Sequence, residues 1–286
     1  MRSLLRSHGL RTGFPAKTGL YTSPDLRCIR ERIQFDDQPI TKDAFAKYFF
    51  EVWDGLSGRI LEATEDTKRL PRYLQLLALL ALHTFIREQT EVVILETHHG
   101  GEYDATNVIQ RPAVTGITPI GMDHVAQLGP TLESIAWHKA GIFKHGTPAF
   151  SAPQDPQTAA VLQTRAVEKS VELTFVPVDT TLSTNTQSLT VPVQRMNCSL
   201  AIAISNAFLK RKTSGSQHVL TQSDIAEGIE NFSWPGRFET IQEGQCSWFL
   251  DGAHNELSVK QAAMWFAQVT TGRTYVFFCP SSPLIP

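Results

Sequence analysis

Residues 91–101 read Glu-Val-Val-Ile-Leu-Glu-Thr-His-His-Gly-Gly. Val92 to Leu95 are four apolar residues in a row, with none of the alternation of a half-exposed strand. The run therefore predicts a parallel strand buried on both faces. The polar residues and paired glycines after it predict a loop at the strand's carboxyl end, where open α/β sheets place their ligands. Further strands are expected at Ala113–Thr118, Pro148–Ala152 and Leu173–Val176. Between them lie helical patterns. Thr41 is an N-cap candidate followed by Phe45, Phe49, Val52 and Trp53. Pro71 suits a first helical position ahead of Leu74, Leu76, Leu77, Leu79 and Leu80. A helix runs from near Thr131 to about Ala140, and Asp155-Pro156 opens another to about Lys169. Two more cover about Asn197–Lys210 and Asp224–Asn231. This alternation of strands and helices predicts an α/β fold on a doubly wound parallel sheet.

Trp234-Pro235-Gly236 punctuates the chain, and a domain boundary is placed there, giving domains 1–233 and 234–286. The second domain has a strand (Trp248–Asp251), a helix (about Glu256 to Val269) and a strand (Tyr275–Phe278). One βαβ unit in roughly 50 residues is too little for an independent core. The Thr/Ser-rich stretch Asp179–Ser188 reads as loop.

Composition narrows the function. The 286 residues are 42% hydrophobic and 19% charged, ordinary for globular proteins. A formal net charge of −2 supplies no basic field, so nucleic acid is not an expected partner. No apolar run reaches the roughly 18–20 residues that span a bilayer. Cys28, Cys198, Cys246 and Cys279 are scattered without CxxC spacing and are expected as buried, reduced thiols of an intracellular protein. The first acid is Asp25, after Arg2, Arg6, Arg11 and Lys17; this composition fits a transit peptide or the end of a helix and its loop.

Four polar clusters fall in candidate ligand positions: Thr22-Ser23-Pro24, Glu96 to Gly101, Gly121-Met-Asp-His124, and Asp251-Gly-Ala-His254-Asn255. A strand-end carboxylate such as Glu96 can hold magnesium or simply face water. His124 on its own reads equally as a hydrogen-bonded structural residue. Lys139 lies i+4 from Ile135 and i+3 from Ala136, on an apolar helix face. It either snorkels past the helix end or stays desolvated with a lowered pKa. A neutral lysine amine can add CO2 and become an oxygen-donor carbamate. Arg237, after a Pro-Gly turn, can reach a phosphate or a base from the domain boundary, or lie on the surface. The pattern G-x-x-x-x-G-K-[ST] has no match, and Ala16-Lys17-Thr18 lacks both glycines.

Taken together these clusters resemble the folylpolyglutamate synthases of the Mur-ligase-like superfamily. Lys17-Thr-Gly-Leu-Tyr-Thr-Ser-Pro-Asp-Leu26 with Arg30-Glu-Arg-Ile33 is similar to KTGLxTSPHL…RERI. Glu96 to Asn107 resembles ExGxGGxxDATN, and Gly121 to Lys144 resembles GIDH…LG…IAxxKxGIxK. Trp234-Pro-Gly-Arg237 and Leu250-Asp-Gly-Ala-His254-Asn255 match WPGR and LDGAHN. The resemblance implies a P-loop-NTPase-like Mur ligase central domain and a partial Rossmann-like C-terminal glutamate-ligase domain. It implies Ser23, Glu96, His124 and Lys139 as magnesium ligands, Lys139 being the carbamylated lysine, with Lys139 and His124 as catalytic residues. Arg237, Asp251, His254 and Asn197 would contact ATP. The implied reaction is γ-linked addition of L-glutamate to tetrahydrofolate or its polyglutamates through an acyl phosphate, using ATP, Mg2+ and a candidate monovalent cation. A monomer in the cytoplasm, in mitochondria or in both is expected.

Departures from the pattern are Asp25 in place of His, His98 in place of Gly, and Val191-Pro-Val ahead of Gln194 in place of Gly-x-His. The resemblance also implies a strand and a GTxGKGS-type loop ahead of the position of Met1, and a longer C-terminal domain. The chain is therefore read as shortened at both places, and impaired in ligation as written, because backbone amides and a lysine of that loop grip the triphosphate. The alternatives are a dihydrofolate synthase-type ligase, and a non-catalytic remnant or incomplete gene model.

Overall fold

The structure is a computed structural model that describes residues 1–62, 69–182, 189–212 and 219–270, with side chains left out at 59–62. It divides into two compact units, Met1–Ser233 and Trp234–Pro286.

The first unit opens with α1 (Arg2–Thr12), then β1 (Thr18–Tyr21), β2 (Ile33–Phe35) and β3 (Gln38–Pro39). Next come α2 (Lys42–Glu62), α3 (Tyr73–Arg87) and β4 (Val92–Leu95). β5 (Thr115–Ile117), α4 (Val125–Leu128), α5 (Leu132–Lys139), β6 (Ala149–Ser151), α6 (Pro156–Glu168) and β7 (Leu173–Phe175) follow. α7 (Pro192–Lys212) and α8 (Gln222–Glu230) close the unit.

The sheet is split. β4 pairs parallel with β1, and β2 and β3 extend that edge antiparallel, in the order β3-β2-β1-β4. β5, β6 and β7 form a second, all-parallel sheet. The single doubly wound sheet expected from sequence is thus two parallel blocks with an antiparallel wing. β1 and the two wing strands were missed because β1 is only four residues long and holds a glycine, and β2 and β3 are shorter still. Gly19 is required in β1, since a Cβ would stand 2.8 Å from the Phe85 ring.

Helix starts follow capping chemistry. The Asp155 carboxylate accepts from the Gln157 and Thr158 amides ahead of Pro156, and Thr131 accepts from the Ser134 amide. Pro71 is not the first residue of α3; the N-cap is Arg72 and the helix begins at Tyr73. α7 begins five residues before Asn197 because Pro192 supplies its first turn. α3 packs Leu77, Leu80, Ala81 and Phe85 against Tyr21 and Ile33. Leu4 and Leu5 of α1 meet Val92 of β4 and Phe208 and Leu209 of α7. Ile135, Ala136 and Ala140 are fully buried with Leu162 and Phe143, which seats α5 firmly at its Lys139 end.

The second unit holds β8 (Glu239–Glu243), β9 (Cys246–Leu250) and α9 (Glu256–Val269). β8 and β9 pair antiparallel as a hairpin, where sequence suggested a lone strand. Polar residues in β8 hide the strand signal, and its burial pattern is almost wholly exposed. Trp265 of α9 is the buried centre, edge-on to Phe238 and Phe249. The strand expected at Tyr275–Phe278 and the last residues of the Asp179–Ser188 loop lie outside the described residues. Cys246 is exposed and Cys28 and Cys198 are part-buried, so the thiols are less enclosed than expected. Among the described residues no helix is long and apolar enough to cross a membrane.

Candidate functional site

The parallel pairing of β1 and β4 puts Tyr21 opposite Leu95, so the loops after both strands leave side by side. Glu96 is the first residue beyond β4. Its Oε2 accepts from the Thr22 hydroxyl and from the Ser23 amide (3.1 Å). Its backbone N–H donates to Tyr21 O at 2.9 Å. Ser23 and Glu96 are therefore neighbours through two strand ends. The other carboxylate oxygen of Glu96 accepts no hydrogen bond from a described residue.

The glycines after Glu96 let this loop lie against the end of α5. A Cβ on Gly101 would stand 2.8 Å from the carbonyl oxygens of His138 and Lys139. Gly100, at φ +64, would press a Cβ to 2.7 Å from Leu128. The Glu102 amide then donates to His138 O at 2.8 Å. The glycine loop is thereby sealed onto the helix that carries Lys139. On the far side Glu102 takes ion pairs from Arg165 (2.6 Å) and Lys169 (3.1 Å), and Arg165 lies over the Trp137 ring.

Burial lowers the pKa of Lys139, and the negative charges of Asp123, Glu96 and Asp104, in that order, oppose the shift. Three carboxylates thus act on one lysine that makes no hydrogen bond to a described residue. His124 sits at the start of α4 with φ 49, a left-handed conformation uncommon outside glycine. Its ring lies 4.3 Å from that of His99, and its Nε2 is 3.9 Å from Asp123 Oδ2. Asp104 is the hub of the loop. It accepts from the amides of His98, His99 and Thr106 and from the Thr106 hydroxyl. Burial pushes its pKa up, but His98 and these donors outweigh it and bring the value down to about 2. Asp104 is an anion at neutral pH.

Divalent magnesium asks for hard oxygen donors. A carboxylate oxygen of Glu96 that accepts no hydrogen bond from a described residue, the neighbouring Ser23 as a hydroxyl-bearing residue, and surplus negative charge around Lys139 fit that demand. Among the described residues no three His, Cys, Asp or Glu side chains are gathered as a metal-binding group. The oxygen set would need Ser23 and a modified Lys139.

Asn197 lies on α7, and no hydrogen bond or ion pair joins it to Glu96, His124 or Lys139. Its Oδ1 is buried without a hydrogen-bond partner among the described residues. An orphaned buried acceptor fits a missing ligand donor. In the second unit, Asp251 Oδ2 accepts from the Phe238 amide at 2.8 Å, and His254 Nδ1 lies 2.9 Å from Gly252 O. Arg237 is part-buried and lies along the backbone at Gly252. Asn255 is a helix cap, accepting from the Ser258 amide. Lys17 pairs with Glu88 at 2.6 Å, a structural contact that removes any phosphate-loop role from Ala16-Lys17-Thr18. Sequence reading missed Asp104, whose role as an acceptor of several loop hydrogen bonds leaves no periodic signal.

The fold and these strand-end loops define a Mur-ligase-like α/β protein. Solved structures similar to it include folylpolyglutamate synthases. A complex of one with AMPPCP and folate superposes with a TM-score of 0.80 at 26% identity, covering 94% of this chain and 68% of that one. The Mycobacterium tuberculosis folylpolyglutamate synthase complexed with ADP and AMPPCP gives 0.78 at 26% identity, covering 93% and 63%. In sequence, the chain is 44% identical over 270 residues to the folylpolyglutamate synthase of Neurospora crassa. That alignment takes in 93% of this chain and 51% of the relative, so the chain spans about half the length of the curated relatives it matches. No family model matches. The chain is a homologue of the folylpolyglutamate synthases.

Proposed function

We propose that this chain carries the central part of an ATP- and magnesium-dependent ligase that joins L-glutamate to the γ-carboxylate of tetrahydrofolate or its polyglutamates. The observation that carries the reading is the position of Lys139, buried at the end of α5 and acted on by Glu96, Asp123 and Asp104. In the proposed reaction the folate carboxylate takes the γ-phosphoryl group of ATP and releases ADP. The glutamate amine then attacks the acyl phosphate, phosphate leaves, and the amine loses a proton as the amide forms.

Ser23, Glu96, His124 and Lys139 would hold the magnesium, and Asn197, Arg237, Asp251 and His254 the nucleotide. A divalent ion there would screen the carboxylate from the triphosphate and stabilise charge on the transferring group. Burial favours the neutral amine of Lys139. Addition of CO2 with loss of one proton would convert it into a carbamate anion and supply the third oxygen donor beside Ser23 and Glu96. The protein is proposed to work as a monomer.

Isotope-labelled glutamate tests the reading when supplied with Mg-ATP and either tetrahydrofolate or dihydropteroate, alongside folate binding without turnover. Label joined to tetrahydrofolate supports it. Label joined only to dihydropteroate moves the chain to the dihydrofolate synthase class. Folate binding with no label incorporated favours a non-catalytic binding protein, and neither binding nor incorporation overturns the ligase reading.

A further inference from the structure

Two residues that depart from the family pattern, Asp25 and His98, lie at the two loops that carry Ser23 and Glu96. His98 is nearly fully buried, and its Nε2 is 2.5 Å from the Tyr21 hydroxyl. Its Nδ1 faces Asp104 Oδ1 at 3.3 Å, longer and less aligned than an ideal bond. Because Asp104 is ionised, it favours the tautomer with the proton on Nδ1, which leaves Nε2 to accept from Tyr21. The next residue along, Thr22, is tied by its amide to the backbone carbonyl of Arg32 at 3.0 Å. Arg32 Nε in turn donates to Asp25 Oδ1 at 2.6 Å. Glu31 ties down the same loop by accepting from the Leu26 and Arg27 amides.

We infer that the His98–Tyr21 hydrogen bond and the Asp25–Arg32–Thr22 links hold the successive residues Tyr21 and Thr22, and so fix the Ser23 loop relative to the Glu96 loop as one unit. His98 and Asp25 are positioning residues for the oxygen donors of a divalent cation. The inference rests on the proposed metal role of Ser23 and Glu96. Support of this kind is the outer layer that orients metal-binding groups. Its members act as a unit, so their effects on the site are coupled.

Binding of Mn2+, followed by electron paramagnetic resonance, tests the inference together with the urea midpoint of each variant. Glu96→Gln is the control for the metal reading. The expected result is Mn2+ binding by the parent and its loss in Glu96→Gln. His98→Gly and Asp25→Asn should each bind about tenfold more weakly, the low end for supporting partners of a metal site. The double variant should bind no more weakly than the worse single one, and Asp25→Glu, which keeps the carboxylate, should restore binding. Tyr21→Phe, which removes one hydroxyl, replaces His98→Gly if that variant does not fold. If binding depends on Glu96 but the single variants match the parent, or their losses multiply in the double variant, these supports are not a unit and the inference falls while the metal reading stands. If the parent binds no Mn2+, or Glu96→Gln binds as well as the parent, the metal reading falls and takes this inference with it.

Discussion

Asp224 at the start of α8 and Lys139 at the end of α5 are both charges drawn out of water, but their surroundings differ. Asp224 receives Arg11 through two bonds of 2.8 and 2.6 Å, the Thr221 amide at 2.8 Å, and His8 at 3.4 Å. Burial pushes its pKa up, yet Arg11, Thr221 and His8 more than reverse this and hold the carboxyl well below its usual range. Lys139 has three carboxylates acting on it and, among the described residues, no hydrogen bond to its ammonium, and burial prevails. The first arrangement fastens α1 to α8. The second leaves interaction energy uncollected, as a binding site does. Burial alone therefore does not separate the two charges; completeness of partnership does, and it is what makes Lys139 the candidate.

The sharpest way to break this comparison is to remove each charge. Asp224→Ala removes a partner of buried His8 and of Arg11 and also removes part of the α8 capping box, and should cost about 3 kcal/mol by urea unfolding. The pH dependence has the matching sign. A depressed folded pKa adds stability above the unfolded value of about 3.9 and loses it as pH falls through the folded value. Acid unfolding of the parent should therefore steepen below about pH 4, and Asp224→Asn should flatten that limb.

Gly141→Ala should come next, at about 2 kcal/mol, because its Cβ would stand 2.2 Å from the backbone of Glu102 and the glycine loop would have to move. Differential scanning calorimetry measures it. Lys139→Met should change stability least, by about 1 kcal/mol or less, since one poorly satisfied charge is exchanged for an apolar side chain of similar length. For a lysine with a lowered folded pKa the unfolded chain binds more protons, so stability rises with pH between the folded value and about 10.4. That rise should vanish in Lys139→Met. A larger loss for Lys139→Met than for Asp224→Ala would overturn the contrast.

Much of the first unit was legible in the sequence, because its signals are local. Val92–Leu95 are apolar without interruption, Asp155-Pro156 is a cap and a first turn, and Leu74 to Leu80 make a helix apolar almost all round, although Leu79 is left exposed. Lys139 stood out for the same reason, as a cation on a helix face otherwise filled by Ile135 and Ala136. What escaped was set by pairing between distant segments. β1 is recognisable as a strand only beside β4, and β8 only beside β9, since neither carries enough apolar residues of its own. The clamp on Asp224 joins residues more than 200 positions apart, and no window along the chain contains both ends.

Gly252 bears on how fast and how selectively Arg237 would take the anion proposed for it. A Cβ there would fall 1.6 Å from Arg237 Nη1, so the guanidinium rests on bare backbone. The arm also touches Gly236 O, whose neighbouring amide is held by Glu239. An arginine loses up to about 2 kcal/mol of rotamer entropy when it is immobilised. Here much of that loss falls on folding and not on the encounter with an anion. Such an arm should discriminate sharply between anions by shape, because it has little freedom left with which to accommodate a poor fit.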